Sequence, residues 1–191
     1  MKGENILEVI IKKNKPVIFV SGHFANFELM SMELRRRSIN LATMYRPLNN
    51  FFLNPFMEYV RRKYVCHEQI KKGLPGVKKT LNYLKNNFSI ALMIDQRVSE
   101  GKRLPFFEHM ALTTTLPAQL AIKLQLDIVP IYIARDANDN FEMEIYEPIK
   151  VPNDGDPKTY KLDLTIKLNK VTEQMISKDP GQWIWPHNRW K

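Results

Sequence analysis

The sequence is governed by an alternation of period. Short, β-rich apolar runs recur between longer stretches with helical spacing. Pro16–Val20 reads PVIFV, Ile39–Tyr45 reads INLATMY, Ser89–Ile94 reads SIALMI and Asp127–Ala134 reads DIVPIYIA. Unbroken apolar runs of this length suit strands buried on both faces. Between them, Asn26–Arg37 places Phe27, Met30 and Leu34 at near-helical spacing. Phe51–Tyr64 places Phe52, Phe56, Tyr59 and Val60 at i, i+4, i+7 and i+8. Pro75 sits in the first turn of another helix that runs to about Asn87. A polar loop is expected from the end of SIALMI to about Leu112. Thr114 or Thr115 then caps a helix through Leu126, with Pro117 in its first turn. Phe141–Glu147 alternates apolar and polar residues, as a half-exposed antiparallel strand does. Asp156-Pro157 opens a long helix with Leu164, Leu168, Val171 and Met175 as its core stripe. The pattern predicts an α/β fold with a mostly parallel central sheet flanked by helices, plus one antiparallel addition late in the chain.

A chain of 191 residues is expected to form one domain. Hydrophobic residues at 44% exclude disorder. The single Cys66 excludes a disulfide framework and a cysteine-rich zinc site. No run of ~18 apolar residues marks a membrane-spanning helix, and MKGENILEV lacks the apolar region of a signal peptide. The 29 Lys and Arg against 20 Asp and Glu leave a net charge of +9. That excess admits a nucleic-acid surface, a surface for anionic lipid or acidic protein, or a basic background.

In open α/β sheets, ligands bind beyond the carboxyl ends of the strands. The segments Ser21–Glu28, Arg46–Asn50, Asp95–Arg97 and the end of Asp127–Ala134 belong to that rim. Dinucleotide, P-loop, serine-elbow and zincin motifs are absent from the sequence. What stands out is SGHFANFE, Ser21–Glu28, at a strand-to-helix junction. On a regular helix His23 and Glu28 would lie about 140° apart. At the junction, Glu28 in the first turn reaches back to His23. A carboxylate on one imidazole nitrogen fixes the tautomer and leaves the other nitrogen to accept a proton from a hydroxyl. The plainer alternative is a helix-capping carboxylate beside an ordinary loop histidine.

Six further residues are candidates for substrate binding. Arg46 binds a phosphate or carbonyl oxygen, or forms a structural ion pair. Asn49, like Asn50, either contacts substrate or caps the next helix. Asp95, with Gln96, either pairs with Arg46 and orients sugar groups or sits in a buried salt bridge. Thr113–Thr115 reads as an N-cap rather than a binding element. In the tail WIWPHNRW, Trp183–Trp190, His187 and Arg189 reach lipid phosphates while the tryptophans line an interface, or the whole tail packs under the last helix.

The chain resembles the bacterial lipid A late acyltransferases of the lauroyl/myristoyl type, within the wider glycerolipid acyltransferase group that carries His-x4-Asp/Glu. The resemblance rests on SGHFANFE, MYRPLNN (Met44–Asn50), MIDQR (Met93–Arg97), LPFFEHMALTTTLPAQLA (Leu104–Ala121), IVPIYIAR (Ile128–Arg135) and QWIWPHNRWK (Gln182–Lys191). It implies a glycerolipid-acyltransferase-like sheet and transfer of a fatty acyl group from an acyl-carrier-protein thioester. The acceptor implied is a hydroxyl of a Kdo-bearing, phosphorylated lipid A precursor. His23 would be the general base and Glu28 its partner. No acyl-enzyme, metal or organic cofactor is expected, and no nucleic-acid partner. The clusters Arg35–Arg37, Arg61–Lys63, Lys71–Lys72 and Lys78–Lys79 then face the acidic carrier and an anionic membrane surface, or are solvated helix faces. The expected location is the cytoplasmic face of the inner membrane, as a peripheral domain. The family pattern begins near Gly3, about a third of the way in, so the family's N-terminal anchor region is expected to lie outside this chain. A glycerophospholipid-type acyltransferase, and an inactive surface- or carrier-binding remnant, are the alternative readings.

Overall fold

A computed structural model describes residues 1–151 and 157–191, with Pro157 and Lys158 described by backbone alone. The expected Asp156 start of the last helix therefore lies outside the described residues. Six strands form the central sheet in the order β3-β2-β4-β1-β7-β8. They are β1 (Ile18–Ser21), β2 (Leu41–Tyr45), β3 (Glu68–Lys71), β4 (Ser89–Met93), β7 (Ile128–Arg135) and β8 (Phe141–Ile145). The first five run parallel, and β8 pairs antiparallel with β7. The predicted mostly parallel sheet with one late antiparallel strand is thus the observed one.

Helices cover both faces. α1 (Glu4–Lys13) and α2 (Glu28–Arg36) lie on one side, with Leu7, Ile10, Met30 and Leu34 packed on Phe19, Ala91 and Val129. α4 (Leu74–Lys85), α5 (Leu116–Leu124) and α6 (Pro157–Lys178) lie on the other. Their Leu84, Ala118, Ala121, Leu164 and Leu168 pack on Ile18, Val20, Ile90 and Leu92. Successive strand residues alternate between the two cores, which is why Ile18, Phe19 and Val20 of β1 are all apolar.

The helix α1, the strand β3 and one hairpin were not among the expected elements. β3 is a four-residue outer strand, EQIK, whose charged ends obscure buried Gln69 and Ile70. The expected polar loop before Leu112 contains a hairpin of β5 (Lys102–Phe106) and β6 (His109–Thr113). Its two-residue turn, Phe107-Glu108, has positive φ at both positions (48° and 62°). Such turns ordinarily take Asn-Gly or Asp-Gly, so the usual hairpin signature is missing. The hairpin packs on the carboxyl-end side, where Phe106, Phe24, Tyr132, Met175 and Trp190 form a third apolar cluster.

The predicted helix over Phe51–Tyr64 appears as α3 (Leu53–Val60), continued by a π-helical turn at Arg61–Val65. Its apolar stripe faces outward. Phe52, Phe56 and Tyr59 are exposed, although such a stripe ordinarily packs on a core.

Candidate functional site

The strand order creates the site. From β1 the chain moves toward β2, whereas from β4 it moves toward β7, on the other side of β1. The loops leave the adjacent carboxyl ends of β1 and β4 in opposite directions, and such a switch point opens a crevice. The register pairs Ser21 of β1 with Met93 of β4. His23 and Asp95 each follow by two residues and meet across the crevice.

His23 Nδ1 lies 2.7 Å from Asp95 Oδ1, and the His23 backbone N–H donates to Asp95 Oδ2 at 2.9 Å. Trp183 Nε1 donates to the same Oδ2 at 2.8 Å. Asp95 is buried, which by itself raises its pKa. The His23 ring, the His23 N–H and the Trp183 indole outweigh burial and hold the carboxyl below its ordinary value. Asp95 thus remains an acceptor, which fixes His23 with Nδ1 protonated and Nε2 basic. No hydrogen bond among the described residues occupies Nε2, and the ring lines the cavity.

Close packing holds this arrangement. A Cβ on Gly22 would come 2.7 Å from the ring of fully buried Phe24. Ala25 takes a left-handed conformation, φ 43°, that a side chain disfavours. The C-terminal tail secures that loop: Ile184 N–H donates to His23 O and Ala25 N–H to Gln182 O, both at 2.8 Å. Trp183 therefore clamps the backbone of the histidine loop as well as the carboxylate.

Glu28 forms no hydrogen bond to His23 among the described residues. It begins α2 and lines the cavity, but its Oε1 lies 2.7 Å from Arg61 Nε. The physical reason is competition for one nitrogen. Asp95 occupies Nδ1 from the neighbouring strand, while the π-helical turn brings the Arg61 guanidinium to Glu28. Arg61 appeared in the sequence only as part of a basic cluster. Its signal would have been long range, 33 positions from Glu28. Both partners are mostly buried. Glu28→Ala and Arg61→Ala are each expected to lower kcat/KM about tenfold, with the double variant no worse than either single one. Additive losses in this mutant cycle would show that the two side chains act separately.

The cavity encloses about 440 Å³, within the ordinary range for small-molecule sites. Phe27, Met44, Val65, Leu92, Ile94 and Leu116 contribute apolar lining, while Arg46, Arg61, Lys72 and Arg97 contribute cations. Gln96 and His187 also line it. Arg46, Gln96 and His187 line the same cavity as His23.

Three assignments change. Asn49 is exposed and outside the cavity lining, while Asn50 accepts from the Phe52 and Leu53 N–H groups and caps α3. Asp95 pairs with His23 rather than Arg46, because it follows the strand that neighbours β1. Arg189 is fully buried and cannot reach a lipid phosphate at the surface. It stacks 3.8 Å above the Phe106 ring and donates to Thr113 Oγ1 and Asn169 Oδ1. Burial pulls its guanidinium down to about 10. Its carbonyl accepts from Leu112 N–H, so the tail is anchored to the hairpin. Thr113 is likewise a buried structural hydroxyl, and Thr114 Oγ1 accepts from Leu116 N–H at the start of α5.

The geometry can be set beside known proteins. A crystal structure of the 1-acyl-sn-glycerophosphate acyltransferase from Thermotoga maritima is similar in fold, with a TM-score of 0.52 and 14% identity. The match covers 90% of this chain and 69% of that one. A curated relative, lipid A biosynthesis acyltransferase 2 of Shigella flexneri, is 23% identical over 188 residues. The alignment covers 96% of this chain but 58% of the relative's length. The family model for bacterial lipid A biosynthesis acyltransferases matches residues 1–191. With that match spanning the whole chain, and a glycerolipid-acyltransferase-like sheet beneath it, the chain belongs to the bacterial lipid A biosynthesis acyltransferase family.

Proposed function

We propose that the chain transfers a fatty acyl group from an acyl-carrier-protein thioester to a hydroxyl of a phosphorylated, Kdo-bearing lipid A precursor. The observation that carries this reading is the His23–Asp95 contact, 2.7 Å, at the edge of a partly apolar, partly cationic cavity. Nε2 of His23 takes the acceptor hydroxyl proton as the oxygen attacks the thioester carbonyl. The tetrahedral intermediate collapses, the C–S bond breaks, and the leaving thiolate takes the proton back from the imidazolium. Asp95 stabilises that transient cation without itself taking the proton. Arg46, Arg61, Lys72 and Arg97 supply cationic partners for phosphate on the donor arm or the acceptor. Apolar lining accommodates acyl chain. Among the described residues, no helix is long and apolar enough to cross a membrane. The reading places the chain at the cytoplasmic face of the inner membrane, held at its surface.

The test offers purified protein an acyl-carrier-protein thioester together with either the Kdo-bearing precursor or lysophosphatidic acid. Mass spectrometry is expected to find the precursor heavier by one acyl group. Acylation of lysophosphatidic acid alone would overturn the acceptor assignment. Transfer to neither would overturn the enzymatic reading for this chain.

A further inference from the structure

The outward stripe of α3 is unexplained by the cavity. Phe51 and Phe52 are 81% and 87% exposed, and Leu53, Phe56 and Tyr59 follow them on the same surface element. Leu74, at the start of α4, is 83% exposed. None of these side chains lines the cavity. Isolated exposed apolar residues need no explanation, but a run of large ones within about two and a half turns does.

Topology brings these residues together. α3 follows the carboxyl end of β2, and α4 follows the carboxyl end of its parallel neighbour β3. The Lys71–Glu58 ion pair, 3.0 Å, ties the end of β3 to α3. The apolar edge therefore stands on the same rim as the cavity mouth, whose Arg46 and Lys72 flank α3 and α4 in sequence.

Charge on this edge is one-sided. Arg62, Lys63, Lys72, Lys78 and Lys79 are exposed around it. The Glu58 carboxyl, held down at about 2 chiefly by Lys71, stays ionised, and its charge is paired with that lysine. The Lys63 ammonium lies over the Tyr59 and Tyr64 rings, 5.5 and 5.1 Å from their centres, and donates to Tyr59 Oη.

We propose that α3 and the first turn of α4 form a wedge that inserts into an anionic lipid surface, with the basic residues at headgroup level and the cavity mouth facing the bilayer. Aromatic and aliphatic side chains this exposed stand out from the surface, as insertion into a fluid phase requires. The surrounding cations complement anionic headgroups. A second copy of this chain would bring the same basic rim against itself. The purpose assigned to the wedge, presenting a lipid substrate to the cavity, rests on the acyltransferase reading; the lipid binding does not.

The test measures co-sedimentation with vesicles of phosphatidylcholine containing phosphatidylglycerol, and with vesicles of phosphatidylcholine alone. The protein is expected to bind the mixed vesicles and to bind the neutral ones weakly. Phe52→Ser/Phe56→Ser should reduce partitioning on the order of tenfold or more. Phe52→Trp/Phe56→Trp should retain it, and raised salt should weaken it. Because both positions are exposed, thermal unfolding should barely move. Equal partitioning of the parent and the serine variant would overturn the proposal, as would a parent that ignores anionic vesicles. A parent dimer in light scattering that the serine variant splits would assign the face to a second copy instead. The serine variant should keep parental turnover on detergent-dispersed acceptor and lose it on vesicle-embedded acceptor. If neither protein turns over in detergent, the acyltransferase reading fails while vesicle binding still reports on the wedge.

Discussion

His23→Ala is expected to lower acyl transfer by about 10²–10⁴-fold, the usual contribution of a positioned general base. The loss should fall on kcat, because in the proposed reaction the imidazole acts on the hydroxyl proton as the new bond forms. His23 lies in a loop held by backbone bonds to Gln182 and Ile184, and those bonds survive removal of the ring. Folding, followed by thermal unfolding, should therefore change little. Asp95 would lose one partner but keep the His23 N–H and the Trp183 indole. Turnover by His23→Ala equal to that of the parent would remove His23 as the base.

Asp95→Asn should cost on the order of 10³-fold or more, for a different reason. The carboxylate receives three N–H groups on two oxygens. An asparagine amide has one oxygen, which can keep both donors now on Oδ2. Its NH₂ then faces His23 Nδ1, which must turn acceptor and move its proton to Nε2. The ring stays in place with the wrong nitrogen basic. A purely structural role would predict unfolding in proportion to lost activity; here activity should collapse with a stability loss of only about 1–3 kcal/mol. The pH dependence offers a separate readout. Asp95 sits below its ordinary pKa, so its stabilisation is complete above the unfolded value near 4. That contribution is lost as pH falls through the lower folded value. Asp95→Asn should flatten the acid-side slope of stability and leave the neutral range parallel to the parent. An unchanged slope together with parental turnover would refute this account of Asp95.

The site was only partly readable in one dimension. SGHFANFE marked the right loop because a strand-to-helix junction is local, and its Gly22 is required by Phe24 two residues on. The partner of His23 was misplaced because Glu28 is near in sequence, whereas Asp95 is 72 positions away. Both were already on the rim as candidates, Glu28 as the partner of His23 and Asp95 as a substrate-binding residue. Arg189 shows the opposite failure. A basic residue near the C-terminus reads as a surface cation, but three neighbours, Phe106, Thr113 and Asn169, enclose it. The hairpin of β5 and β6 was hidden because its turn uses Phe107-Glu108 in place of a glycine-containing pair.

Period and local steric demand alone determined four of the five parallel strands, most of the helices and the histidine loop. Apolar runs that alternate between two cores admit no other layer arrangement. The order of the strands was not contained in that pattern. It follows from how six strands pack against helices on both faces, and it decided which carboxylate meets His23. The tertiary structure also decided that the α3 stripe, helical in spacing and core-like in composition, faces outward, with Phe52, Phe56 and Tyr59 exposed.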